Sequence, residues 1–110
     1  MKILVTGASG FIGSNLIDKL LNQNYDISIV TRKLNNIKKY NWPSKVKVYE
    51  KNLLSLSNED YEEFSSNDVV VHLAWDGLPN YHDKIHQQNY KTSFEFIKNL
   101  INNGTKHILI

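Results

Sequence analysis

Residues 6–13 read Thr6-Gly7-Ala8-Ser9-Gly10-Phe11-Ile12-Gly13, a stretch with few side chains able to react. The chemistry open to it is binding, with bare backbone N–H groups offered to an anion. Gly7 permits the tight turn that a Cβ would resist. Gly10 lets the backbone approach a pyrophosphate, with Ser9 in the same candidate set. Gly13 lets the following helix pack close to the preceding strand. The start of that helix adds free N–H groups and a partial positive charge. The spacing is G-x-x-G-x-x-G and not the literal G-x-G-x-x-G pattern. The competing reading is a plain strand–helix turn, for which three glycines would be wasteful.

Such a loop needs a strand before it and a helix after it. Ile3-Leu4-Val5 is a short apolar run suited to a strand buried on both faces. From Phe11 to Asn22 apolar residues fall at 12, 16, 17, 20 and 21, a helical spacing, and Asn22 and Asn24 supply the break. Residues 27–30 read as a second strand. Residues 34–40 form a weak, basic helical stretch that ends in a turn at Trp42-Pro43. Residues 45–49 alternate as a half-exposed third strand. Ser57-Asn58-Glu59-Asp60 opens a short acidic helix to Phe64. Val69-Val70-Val71 is the most clearly buried strand and runs on to His72 and Leu73. A loop follows at 76–80. A long helix is expected over 84–102, with Ile85, Thr92, Phe96, Ile97, Leu100 and Ile101 on or near one face. Asn103-Gly104 caps it, and a fifth strand begins at 107–110. Strands alternating with helices predict right-handed crossovers and a parallel sheet covered on both sides.

The bulk composition fits one ordinary globular domain over residues 1–110. It has 110 residues, 41% hydrophobic and 22% charged, with a net charge of +2 that is too small to demand a polyanionic partner. The absence of cysteine rules out a disulfide framework. Glycines, Asn15 and Asp18 interrupt the N-terminus as a secretion signal, and no run approaches the roughly 18 apolar residues of a membrane span. A cytoplasmic location with no membrane partner is the expectation.

The stretch Leu4-Val5-Thr6-Gly7-Ala8-Ser9-Gly10-Phe11-Ile12-Gly13-Ser14-Asn15-Leu16 resembles the opening of the extended short-chain dehydrogenase/reductases. These are the NAD-dependent epimerase/dehydratase enzymes that act on nucleotide sugars. The likeness runs strand by strand along essentially the whole chain. It implies an α/β fold: a Rossmann-type, doubly wound, three-layer parallel sheet of order 3-2-1-4-5, truncated at strand five. It also implies that Gly7, Gly10, Phe11, Ile12 and Gly13 contact the cofactor.

NAD-binding chains usually carry an acidic residue about 20 positions past the glycines, which binds the ribose 2′-OH. Here that place reads Val30-Thr31-Arg32-Lys33, with no carboxylate. Arg32 can pair a 2′-phosphate bidentately, so NADP is preferred over NAD. The alternative is that Arg32 and Lys33 are solvated loop charges. By the resemblance, Asn52-Leu53 stands where the family often has an Asp that meets the adenine, and Asn can still bond an adenine edge. By the same resemblance Leu73-Ala74 lies along the ribose and Asn89 matches a family asparagine. Trp75 departs from the small residue usual there. It either closes over the substrate side or packs. The other reading of Asn89 is a helix surface residue.

His82 and His86, four apart, could share a zinc ion, but no third ligand is near in sequence and no metal site is assigned. Lys38-Lys39-Tyr40-Asn41-Trp42 with Lys45, Lys47 and Lys51 mixes basic and aromatic residues as nucleic-acid binders do. A solvated face beside a cofactor edge is the preferred reading, and no nucleic-acid partner is expected.

Family catalysis implies a Tyr-x-x-x-Lys pair, whose Tyr is the general acid/base. The residues four past the six tyrosines are Ile29, Ser44, Leu53, Ser65, Ile85 and Phe94, so these 110 residues hold no such pair and no catalytic residue is assigned. The expectation is an N-terminal fragment or shortened gene product. It would be the cofactor half of a nucleotide-sugar epimerase, dehydratase or 4-reductase that moves hydride at sugar C4. Nucleotide sugar would be a partner of the full-length parent. A non-catalytic NADP-binding sensor or interaction module is the alternative. An apolar edge at 108–110 predicts marginal stability or association with another chain, such as a homodimer.

Overall fold

A computed structural model describes residues 1–42, 44–75 and 84–110. The expected loop at 76–80, His82 and Pro43 lie outside the described residues. The described elements run in order β1 (Lys2–Thr6), α1 (Phe11–Leu21), β2 (Asp26–Thr31), β3 (Lys47–Glu50), α2 (Asn58–Ser65), β4 (Val69–His72), α3 (Ile85–Asn102) and β5 (His107–Leu109), with 3-10 turns at Leu34–Asn36 and Leu53–Ser55. All strand pairings are parallel, in the order β3-β2-β1-β4-β5. That is the Rossmann-type arrangement expected above.

Alternation along the strands builds two cores. Ile3, Val5, Ile27, Ile29 and Val71 face α1 and bury with Ile17. Leu4, Val30 and Val70 face the other way, against Tyr61 and Phe64 of α2 and Phe96 and Leu100 of α3. The central strand β1 is therefore apolar at consecutive positions, because each successive side chain enters a different core. α2 starts on a capping box, with Ser57 Oγ accepting from Asp60 N at 3.1 Å and Asp60 Oδ2 from Ser57 N at 2.9 Å. α3 ends where Gly104, at φ +92°, turns the chain and Thr105 N reaches back to Leu100 O at 3.0 Å.

Two expectations need correction, and a third holds at Leu109 and Ile110 but not at Ile108. Residues 34–40 form no helix beyond the turn at Leu34–Asn36. Asn35 and Asn36 are poor helix formers, and Tyr40 is turned inward to a hydrogen bond described below. The apolar face of α3 is also narrower than expected. Phe96 and Leu100 are buried, while Ile85 and Ile101 are exposed, because half-buried polar residues Asn89, Thr92 and Ser93 carry the inward stripe near the helix start. At the C-terminal edge, Ile108 packs against the α2/α3 core, whereas Leu109 and Ile110 are exposed.

Candidate functional site

β1 is the switch point of the sheet, since the chain leaves it for β2 on one side and returns by a crossover to β4 on the other. A crevice opens at the carboxyl ends of strands at such a point. Here it is a cleft of about 340 Å³. Its floor is the loop from Thr6 to Gly10. Thr31, Arg32, Asn52 and Leu53 line the β2/β3 side, and Leu73, Ala74, Trp75 and Asn89 line the β4/α3 side.

Each glycine of the loop is held to its type differently. Gly7 sits at φ +75°, and a Cβ there would lie 2.6 Å from the carbonyl carbon of Leu73. A Cβ on Gly13 would lie 2.1 Å from Gly7 O, so α1 could not approach the loop. Gly10 has φ −76° and ψ 172°, and a Cβ there would meet nothing closer than Gly7 O at 3.4 Å. Steric fit alone does not require glycine at position 10. Gly10 is also the N-cap of α1 and has no side chain to bond the helix start, while its carbonyl accepts from Ser14 N at 2.9 Å. The N–H groups of Phe11, Ile12 and Gly13 precede that first intrahelical bond and have no acceptor within the helix. A bare N-cap beside three such donors fits a pyrophosphate.

Phe11 and Ile12 do not line the cleft with their side chains, which are 86% and 68% exposed. What they can offer a phosphate is backbone N–H. Gly13 also lies outside the lining, and its place is at the helix–loop contact.

A buried polar chain, missed in the sequence, stitches β1 to β4 and α3. Thr6 Oγ1 accepts from Leu73 N at 3.1 Å and Ala74 N at 3.3 Å, which uses both its acceptor positions. Its hydroxyl proton is left for His72 Nδ1 at 2.7 Å. His72 then carries its proton on Nε2 and donates to Ser93 Oγ at 2.8 Å. Burial holds the His72 pKa below its ordinary value of 6.5, which keeps the ring neutral. This chain fixes the Leu73–Ala74 backbone against Gly7. The His-Leu-Ala run was the available signal, but the partners Thr6 and Ser93 are far away in sequence.

On the β2 side, Asn52 Oδ1 accepts from Leu54 N at 2.9 Å and caps the Leu53–Ser55 turn. That leaves the amide NH2 as the group Asn52 can offer a ligand in the cleft. Lys51 also lines the cleft and lies 3.4 Å from Asp60 Oδ1. A carboxylate does reach the region, but from β3: Glu50 Oε2 accepts from Leu34 N at 2.9 Å and shapes the turn after Arg32. Glu50 is not among the lining residues. On the β4 side, Trp75 Nε1 donates to His86 Nδ1 at 2.7 Å and the two rings stack at 22°. Trp75 thus both lines the cleft and ties the end of β4 to the first turn of α3.

Compared with known sequences, the profile of the NAD dependent epimerase/dehydratase family matches residues 3–106. The chain belongs to that family. It is 25% identical to a dTDP-6-deoxy-L-talose 4-dehydrogenase (NAD(+)) of Aggregatibacter actinomycetemcomitans, over all of this chain and 40% of that protein. Among solved structures it resembles UDP-glucose 4-epimerase of Thermotoga maritima with UDP-glucose, with TM-score 0.72 and 27% identity over 98% of this chain and 36% of that one. It also resembles UDP-glucuronic acid 4-epimerase of Bacillus cereus in complex with NAD, with TM-score 0.65 and 29% identity over 94% of this chain and 35% of that one. The chain spans well under half the length of these family members. Among the described residues, no helix is long and apolar enough to cross a membrane.

Proposed function

We propose that this chain is the dinucleotide-binding part of an enzyme that epimerises, dehydrates or reduces a nucleotide sugar, and that it takes NADP in preference to NAD. The observation that carries the dinucleotide reading is Gly10, a glycine that steric fit does not require, beside three α1 N–H groups with no acceptor within the helix. The pyrophosphate would lie there. The adenosine would reach toward Arg32 and Asn52, and the nicotinamide end toward Leu73, Ala74, Trp75 and Asn89.

When bound, the cofactor would accept or supply hydride at C4 of the sugar. The names of the three relatives, a 4-dehydrogenase and two 4-epimerases of sugars on dTDP or UDP, support that position. This chain's own residues bind and orient. The loop fixes the phosphates, and the Thr6–His72–Ser93 chain fixes the β4 backbone beside them. The acid/base step would belong to a Tyr-x-x-x-Lys pair of the full-length parent, which these 110 residues do not contain.

The NADP preference is supported by Arg32 and Lys51, two cations that line the same side of the cleft, and by a Glu50 carboxylate engaged by a backbone N–H. Titration of the chain with NADPH and NADH, followed by calorimetry, tests both parts. NADPH is expected to bind about tenfold tighter, the scale of one charge-assisted hydrogen bond. Equal or tighter NADH binding sinks the preference, and no binding of either sinks the dinucleotide reading.

A further inference from the structure

The basic and aromatic stretch Lys38–Trp42 is absorbed neither by the cleft lining nor by the glycine pattern. In the structure its rings are half-buried and turned toward α1. Tyr40 and Trp42 stack at 4.7 Å and 11°. Tyr40 Oη donates to Ser9 O at 3.0 Å, and Trp42 Nε1 donates to Asp18 Oδ1 at 3.0 Å. One stacked pair therefore grips the glycine loop with one ring and the second turn of α1 with the other.

The grip falls on the peptide that matters most for an anion. The Ser9–Gly10 peptide has its carbonyl held by Tyr40 and its N–H donating to Gly7 O at 3.2 Å. With both ends bonded, rotation of that peptide plane would break at least one hydrogen bond. Glycines at 7 and 10 leave the loop permissive, since neither has a side chain to restrict it. A loop that must aim several N–H groups at once gains affinity when it is ordered beforehand. The restraint that side chains would give elsewhere comes here from outside the loop.

We infer that Tyr40 is a positioning residue for the phosphate cradle, holding the Ser9–Gly10 peptide so that the N–H groups at the start of α1 converge. Trp42 anchors Tyr40 to the same helix. This rests on the dinucleotide-binding reading.

The test compares the 110-residue chain with Tyr40→Phe, which keeps the stacked ring and removes only the hydroxyl. Ligands are NADPH and ADP-ribose, which carry the pyrophosphate, and adenosine, which does not. Tyr40→Phe is expected to weaken NADPH and ADP-ribose about three- to tenfold, the effect of one hydrogen bond, and to leave adenosine unchanged. Unchanged ADP-ribose binding overturns the inference, as does an equal loss for adenosine, which would mark a merely structural role. Amide hydrogen exchange of the ligand-free chain is read alongside. Faster exchange at residues 9–13 in the variant supports the brace, and an unchanged rate overturns it. Should the unaltered chain bind no dinucleotide, the proposed function fails, and the exchange measurement still decides the brace. Trp42→Phe, which loses the bond to Asp18 but keeps an aromatic ring, is expected to show the same pattern more weakly. A Trp42→Phe chain that weakens adenosine as much as ADP-ribose overturns the part assigned to Trp42.

Discussion

At the carboxyl ends of the strands, Thr6, His72 and Ser93 share hydrogen bonds around a glycine loop that is tight at Gly7 and Gly13. At the amino ends, Lys47, Tyr49 and Glu63 meet around one carboxylate in water: Glu63 Oε1 accepts from Lys47 at 2.7 Å and Tyr49 at 2.9 Å. The hydrogen bond to Glu63 raises the Lys47 pKa, and the same bond lowers that of Glu63. Yet Lys47 and Glu63 are about half exposed, so solvent screens the pair. The shifts at the amino ends report two exposed, opposite charges close together. The buried chain at the carboxyl ends is harder to alter, because each lost partner strands another group.

Point variants at the two ends test this contrast. The largest effect is expected from Gly13→Ala, whose Cβ would meet Gly7 O. It should destabilise the chain by about 3 kcal/mol, the upper range of overpacking, and thermal unfolding would show it. Gly10→Ala should destabilise the chain only by the roughly 1 kcal/mol or less that alanine costs at an N-cap, yet weaken NADPH by about tenfold or more. A chain that still binds normally would show that position 10 does not face the cofactor. Thr6→Val removes the hydroxyl that serves Leu73, Ala74 and His72. A loss of about 1–3 kcal/mol in denaturant unfolding is expected.

His72 adds a pH signature. Its folded pKa lies below 6.5, so the unfolded chain takes up the proton first as pH falls. Its contribution to stability is complete above that value and declines beneath it. Unfolding measured between pH 7.5 and 5.5 should show this slope, and His72→Asn, which retains an acceptor for Thr6, should flatten it. A slope that survives in the variant would assign it to other groups. The smallest effect belongs to Lys47→Met, for which no change in NADPH affinity is expected. A clear loss there would abolish the distinction between the two ends.

What the sequence made legible follows how local each feature is. The apolar run at Ile3–Val5, the three glycines and the helical spacing after them sit within some 20 residues, and strand, loop and helix appear as expected. The Val69–Val71 run and the capping box at Ser57 were equally local. The pairings that shape the site are not. Thr6 and His72 are 66 positions apart, Tyr40 and Ser9 are 31 apart, and Glu50 reaches Leu34 across a strand pair. No pattern in a single chain announces such partners. α3 misled for a different reason: its inward stripe near the cleft is polar, with Asn89, Thr92 and Ser93 where a core-facing helix would show aliphatics. Hydrophobic periodicity is silent where a helix turns polar side chains toward a cleft.

The 66-residue separation of Thr6 and His72 also bears on the order of events in folding. The glycine loop and α1 can form early, from neighbouring residues. The wall of the cleft exists only once β4 has docked beside β1, a contact of high sequence separation and hence late and slow. A chain emerging from the ribosome would carry its most recognisable motif long before it could hold a ligand there. Cofactor added during refolding should therefore leave the folding rate nearly unchanged and slow unfolding instead.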